Sequence, residues 1–428
     1  MTALSFEITA RSATCAARAG RVATPHGEFE TPAFMPVGTR GTVKGVLPRD
    51  LADTGARVVL ANTYHLLLRP GPDLIRRRGG LHAFMNWPGP ILTDSGGYQV
   101  YSLGDTCRIT DDGVAFKSVV DGSTIELTPE RSIDVQHALG ADIIMAFDDC
   151  PPSVDPRSLN ATRRRLASAH SAGPEADHAR RLDEANERTV RWLERCASRH
   201  ACSGLADRQA LFGIVQGGLD PDRRRWSAQR VCAIDLPGYA IGGVAVGEGP
   251  DQIERVVSLT APLLPEDRPR YLMGVGYERD LVAAVRAGCD MFDCVLPTRN
   301  GRNANAFTRT GQVRLKNAAF AEDDRPIEPG CDCPACAGWG DAPRPFTRAY
   351  LRHLFLAQEM LGPILVSLHN LRHFQRLLLD IRAAIREDGW SALARRWPVV
   401  DPGSRGDAEP PDTPPSNRAD AQESSDPC

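Results

Sequence analysis

The chain has 428 residues, 42% of them hydrophobic and 25% charged, with a net charge of −3. That length can bury one barrel-sized core with additions, and the charge balance excludes a uniformly basic nucleic-acid coat while leaving local patches open. No apolar stretch approaches the roughly 18–20 residues of a membrane span. The N-terminal MTALSFEITARSATC has no basic stretch leading into an apolar one, so no secretion signal is expected and the cytoplasm is the expected compartment.

Residues 1–31 carry Gly, Thr and Pro punctuation and are expected to form a strand pair closing the far end of the fold. Eight short apolar segments follow. They are AFMPVG (33–38), ARVVLANTYH (56–65), PILTDSGGY (90–98), ADIIMAFDDC (141–150), ALFGIVQGG (210–218), YAIGGVAVGEG (239–249), RYLMGVGY (270–277) and DMFDCVLPTR (290–299). Most lack polar alternation, as strands covered on both faces do. Helical segments lie between them, the clearest opening at Thr128-Pro129-Glu130 with a cap, a proline and an acid in the first turn. This α/β alternation predicts a (β/α)₈ TIM barrel over residues 32–310, with an open doubly wound sheet as runner-up. Polar residues follow the apolar runs at Asn62, Asp94, Asp148, Gln216, Gly242–Gly243 and Asp293. A barrel gathers such positions around one mouth, whereas an open sheet spreads them along an edge, so the barrel fits better.

Three further regions stand apart. Residues 152–209 are polar, arginine-rich and helical in pattern, interrupted at Gly173-Pro174, and read as a long surface excursion. Residues 311–397 hold a cysteine cluster and are expected to form a metal-binding subdomain with C-terminal helices. From 398 the chain is rich in Pro, Ser and Asp and is expected to be disordered.

The cluster Cys331-Asp332-Cys333-Pro334-Ala335-Cys336 supplies three thiolates within six residues. In a reduced compartment that spacing points to metal before disulfide. Tetrahedral Zn²⁺ needs a fourth ligand, for which His353, His369 and His373 are candidates. Asp94, Asp148–Asp149 and Asp293 each end an apolar run. One such aspartate is as easily a helix cap, but three at one rim make the paired-carboxylate kit of glycosidic-bond chemistry. Asp293 lies between Phe292 and Cys294, an apolar setting suited to a nucleophile. Gln216 and the bare backbone at Gly243 suit the edge of a planar heterocycle, and Tyr98 with Met273 suit its two faces. Arg299 and Arg302, just beyond Asp293, suit phosphate binding.

These motifs resemble, in order and over residues 5–390, the bacterial tRNA-guanine transglycosylases, also called queuine tRNA-ribosyltransferases. The matching segments are TDSGGYQV, MAFDDCPP, VQGG, IGGVAVGEG, YLMGVG, MFDCVLPTRNGRNANAF and CDCPAC. The resemblance implies a barrel with a zinc-binding subdomain in a homodimer. The implied reaction exchanges the wobble guanine of certain tRNAs for a 7-deazaguanine, in bacteria 7-aminomethyl-7-deazaguanine, on the way to queuosine. Carried onto this sequence, Asp293 attacks the ribose and forms a covalent tRNA intermediate, and Asp94 is the general acid and base. Asp148, Gln216 and the Gly243 backbone read the base with Cys150 nearby, and Tyr98 and Met273 sandwich it. Cys331, Cys333, Cys336 and His369 hold one structural zinc per subunit. The chain departs from the family pattern at Asp149 (usually Glu), Val119 (often His) and Tyr277 (commonly Lys), and in the added GWGDAPRPF segment. Alternatives are a non-catalytic accessory subunit, an archaeosine-type enzyme and a sugar hydrolase on the same barrel. Retention of all three aspartates, the short remaining C-terminus and the zinc cluster, respectively, weigh against them.

Overall fold

The computed structural model describes residues 3–98, 107–154, 178–244, 248–340 and 343–401. Strands β1 (Ser5–Arg11), β2 (Arg18–Thr24) and β3 (Gly27–Thr31) form an antiparallel sheet of their own. Three strands stand where a pair is expected from sequence. Thr24-Pro25-His26-Gly27 turns the chain back at once, with Gly27 at φ 127°, a conformation that favours glycine.

Each of the eight apolar segments contributes one barrel strand. The first three are β4 (Ala33–Gly38), β5 (Val59–Ala61) and β6 (Ile91–Thr93). A small antiparallel sheet of β7 (Arg108–Ile109), β8 (Val114–Lys117) and β9 (Thr124–Leu127) then interrupts the series. The barrel resumes with β10 (Ile143–Met145), β11 (Ala210–Val215), β12 (Gly238–Ile241), β13 (Arg270–Leu272) and β14 (Met291–Cys294). It closes in the order β10-β11-β12-β13-β14-β4-β5-β6, every neighbouring pair parallel.

Successive side chains divide between two cores. Met35, Leu60, Leu92, Met145, Phe212, Ile214 and Tyr271 fill the interior. Phe34, Val59, Ile91, Ile144, Leu211, Ile241 and Phe292 face the surrounding helices. Both faces are therefore apolar, which is why polar alternation is missing from the sequence. Each large aliphatic or aromatic side chain so buried contributes about 1.5–3 kcal/mol. Val22 and Phe29 of the N-terminal sheet join the interior core with Ala33, Ile143, Ala210 and Met291, each the first residue of its strand. The sheet thus covers the barrel's N-terminal end.

The expected surface excursion after residue 152 is in its second half a barrel helix, His178–Ala201. Its buried stripe of Leu182, Ala185, Asn186, Thr189, Trp192, Leu193 and Cys196 recurs at helical spacing. The stripe was hidden in the sequence by the arginines interleaved with it. The break expected at Gly173-Pro174 lies outside the described residues.

Past the barrel, β15 (Asn305–Thr308) and β16 (Gly311–Arg314) form a hairpin. The Leu361–Glu387 helix then returns along the barrel, with Phe374 stacked on Phe34 of β4 at 5.0 Å. The tail expected from 398 begins with one described turn, Pro398–Val400, held by the Val399 N–H donating to the Arg309 carbonyl at 2.9 Å. Residues 402–428 lie outside the described residues. No described helix is long and apolar enough to cross a membrane.

Candidate active site at the C-terminal mouth of the barrel

The C-terminal ends of β6, β10 and β14 bring the sequence-predicted carboxylates to one rim. Asp293, the third residue of β14, is held by β13 and the loop after it. Its Oδ1 accepts from the Tyr271 hydroxyl at 2.6 Å and from the Gly274 N–H at 2.9 Å. Its Oδ2 has no hydrogen-bond partner among the described residues. Burial pushes the Asp293 carboxyl above the usual range, opposed by those two donors. The Tyr271 hydroxyl is pushed well above its ordinary value by burial and then by the charges of Asp293 and, less, Asp94. It stays protonated and can only donate to the carboxylate. Asp94 directly follows β6, and its Oδ1 accepts from the Thr63 N–H at 2.8 Å. Its Oδ2 accepts from the Asn62 amide, and its backbone carbonyl from the Thr63 hydroxyl.

A second group forms across β10, β11 and β12. Asp148 Oδ1 accepts from the Ser95 hydroxyl at 3.2 Å and Oδ2 from the Gln216 amide at 2.7 Å. Burial lifts its carboxyl to about 6 despite these donors. The other side of the Gln216 side chain lies against the glycines after β12. A Cβ on Gly243, whose φ is +65°, would stand 2.3 Å from Gln216 Oε1. Any side chain there would displace the amide. Cys150 is buried and its thiol pushed up to about 12, so it remains protonated near neutrality and acts as a small neutral surface.

Three arginines not singled out from sequence fix this group. Arg224, in the Pro221–Val231 helix, is fully buried. It donates to the carbonyls of Gly218 at 2.9 Å, Val215 at 3.1 Å, Gly242 at 2.8 Å and Gly243 at 3.2 Å. One guanidinium thus ties the loops after β11 and β12. Arg181 and Arg188 of the His178–Ala201 helix grip Asp149. Arg181 donates at 2.9 and 2.6 Å and Arg188 at 2.7 Å, on a side chain 1% exposed. Their seven-residue separation, on the side carrying Ala185 and Trp192, was the available signal. The shorter Asp149 is therefore a fully paired anion immediately beside Asp148.

Tyr98 is 45% exposed, and Met273 packs partly buried on the interior core; both lie just past strand ends at the mouth. Arg299 and Arg302 lie on the Leu296–Arg302 helix that follows β14, each half-buried. Val119 is exposed on the turn between β8 and β9. Tyr277 precedes the Glu278–Arg286 helix with its ring edge-on to Phe307 at 6.4 Å.

Cys331, Cys333, Cys336 and His369 converge beside the mouth, all buried, with one ligand atom from each lying within 4.8 Å of the others. His369 Nδ1 is 3.7, 3.4 and 3.4 Å from the three sulfurs. Its Nε2 lies 2.7 Å from the Phe307 carbonyl, which fixes the tautomer that leaves Nδ1 free to ligate. Three thiols and one imidazole with no open position are the donor set of a structural metal site. His353 and His373 lie outside this group; His373 Nε2 is 2.8 Å from Glu278. Arg372 bridges the cysteine loop to the helix bearing His369, reaching Asp332 at 2.9 and 2.6 Å. The neighbouring Asn370 donates to the Pro297 carbonyl at 2.9 Å and accepts from the Phe307 N–H at 2.9 Å. The metal helix is thereby fastened to the segment following Asp293.

Comparison with known proteins bears on the whole of this arrangement. A sequence model of the queuine tRNA-ribosyltransferase family matches residues 13–399. The queuine tRNA-ribosyltransferase of Thermus thermophilus is 54% identical over 392 residues, 92% of this chain and 93% of that protein. The one from Symbiobacterium thermophilum is 50% identical over 399 residues, 92% of each chain. That of Synechococcus elongatus is 48% identical over 397 residues, 93% of this chain and 95% of its own. The match spans the barrel, the rim of carboxylates and the Cys₃His centre alike, and on that ground the chain belongs to the queuine tRNA-ribosyltransferase family of tRNA-guanine transglycosylases, a family of pentosyltransferases.

Proposed function

We propose that the chain exchanges the wobble guanine of queuosine-family tRNAs for 7-aminomethyl-7-deazaguanine through a covalent intermediate on Asp293. One observation carries the reading: both donors to Asp293 engage Oδ1, which leaves Oδ2 to attack. Oδ2 forms a bond to the ribose anomeric carbon as the bond to guanine breaks. The electron pair leaves with the base, which takes a proton from Asp94. The incoming base gives a proton to Asp94, attacks the same carbon and expels the carboxylate, so configuration is retained. The target nucleotide leaves the anticodon stack to reach such a pocket.

Asp148 and Gln216 read the base edge with the Gly243 backbone, beside Cys150, and Tyr98 and Met273 cover its faces. Arg299 and Arg302 meet the phosphates. Zinc fills the Cys₃His centre and stabilises the subdomain without entering the reaction. The chain divides into the N-terminal segment to residue 31, a barrel over 32–310, a zinc subdomain with C-terminal helices over 311–397 and a tail, and works in the cytoplasm. Trp339, Tyr350, Leu356 and Met360 are exposed apolar residues of the metal-binding subdomain, a composition suited to a homodimer interface; sedimentation as a monomer at micromolar concentration would contradict that pairing. To test the activity, tRNA with a guanosine wobble base is incubated with labelled guanine. Exchange is expected with the native protein and none with Asp293→Asn; exchange by the variant at the native rate sinks the assignment.

A further inference from the structure

Three residues from separate elements meet at the N-terminal end of the barrel, away from the rim of carboxylates. Asp142 immediately precedes β10, His82 lies in the Gly80–Met85 helix, and His26 occupies the turn between β2 and β3. His26 Nδ1 is 2.8 Å from Asp142 Oδ1 and His82 Nε2 is 3.0 Å from Oδ2. The imidazoles stack with centroids 3.5 Å apart and planes at 14°. One atom from each residue lies within 4.8 Å of the others. The Asp142 side chain is 0% exposed and His26 44%, so the group opens to solvent on one side only. The Ile91 N–H, donating at 2.9 Å, fixes the carboxylate from behind.

Charge pairing sets this cluster apart from the acids that arginine holds. Buried Asp149 is paired with Arg181 and Arg188, and buried Asp290 with Arg18. Among the described residues, Asp142 has only the two imidazoles as ion-pair partners. A ring nitrogen on each oxygen of one buried carboxylate, with the two rings stacked, gathers three metal-ligating atoms around one point. A cation shared by the two ring nitrogens and one carboxylate oxygen would supply the counter-charge that no described arginine or lysine gives Asp142.

We propose that His26, His82 and Asp142 form a second metal site, separate from the Cys₃His centre. Two imidazoles and one carboxylate suit a divalent ion of the zinc, cobalt or nickel kind, not magnesium or calcium, and leave coordination positions to water. Because the three ligands come from the N-terminal sheet, a peripheral helix and a barrel strand, bound metal pins the sheet to the barrel base. The site is remote from the proposed chemistry, so its role is stabilisation, and it stands independently of the assigned reaction.

The test is a Co²⁺ titration of the full chain already carrying metal at its cysteines. A second equivalent is expected to bind per chain, with weak visible bands lacking sulfur-to-cobalt charge transfer, and to raise the melting temperature. His26→Ala and, separately, His82→Gln should weaken that binding by about 100-fold or more while leaving the cysteine-bound metal in place. His26 is on an exposed turn, so His26→Ala serves as the test should His82→Gln fail to fold. A native protein that takes up no second equivalent, or a folded variant that binds it as tightly as the native chain, overturns the proposal.

Discussion

Buried Asp148 and partly buried Asp293 are both carboxylates raised above the ordinary range, and their hydrogen bonds suit them to the different work proposed for them. Each oxygen of Asp148 already accepts a bond from the protein, which fixes the group in the orientation that the proposed acceptor role requires. Both bonds to Asp293 fall on a single oxygen, leaving the other for reaction. With its carboxyl lifted to about 6, Asp148 is protonated below that pH and loses acceptor capacity. Base affinity is therefore expected to fall as pH drops through about 6, read as a rising KM for the base. A raised carboxyl pKa also means that ionisation costs folding stability as pH rises from the unfolded value toward 6, and the full cost is felt at neutrality. Asp148→Asn should then keep or raise the melting temperature at pH 7, by an amount worth at most roughly 3 kcal/mol, while weakening base binding at least about tenfold. A variant that binds the base normally would remove Asp148 from its role.

At the scale of elements, the barrel strands were legible because each is a short apolar run ended by Gly, Asn, Asp or Gln. The acids at those ends were legible for the same reason. The His178–Ala201 segment was legible as helical but not as part of the barrel: its arginines read as a solvated face, although Arg181 and Arg188 turn inward onto Asp149. Tyr271 was missed because a tyrosine inside an apolar run reads as core, and only the neighbouring strand reveals the carboxylate at its hydroxyl. The β7–β9 sheet was missed because its strands are short and mixed in polarity. Removing both arginines from Asp149 strands a buried anion, and Arg181→Ala with Arg188→Ala should destabilise the protein by about 3–5 kcal/mol. Adding Asp149→Asn should restore part of the loss. Urea unfolding in which the triple variant is no more stable than the double would show that the arginines act through packing alone.

Across the whole molecule, the barrel and the metal-binding subdomain share one helix, Leu361–Glu387. His369 turns to the cysteines and the adjacent Asn370 to the Pro297 carbonyl, four residues beyond Asp293. Loss of metal therefore reaches the active-site rim through two adjacent residues. Cys333→Ser should lose the bound metal and several kcal/mol of stability, because the site is built only on folding; elemental analysis finding full metal content in that variant would remove Cys333 as a ligand. The cysteine spacing announced this centre, but the choice among three histidines rested on resemblance until the fold brought His369 alone to the sulfurs. In the proposed exchange, Asp293 carries the tRNA between the two displacements. The direct measurement is mass spectrometry of peptides from enzyme trapped with tRNA under denaturing conditions. A nucleotide adduct is expected on the peptide containing Asp293 and is expected to be absent from Asp293→Asn; an adduct on Asp94 instead, or full exchange by Asp293→Asn, would remove Asp293 as the nucleophile.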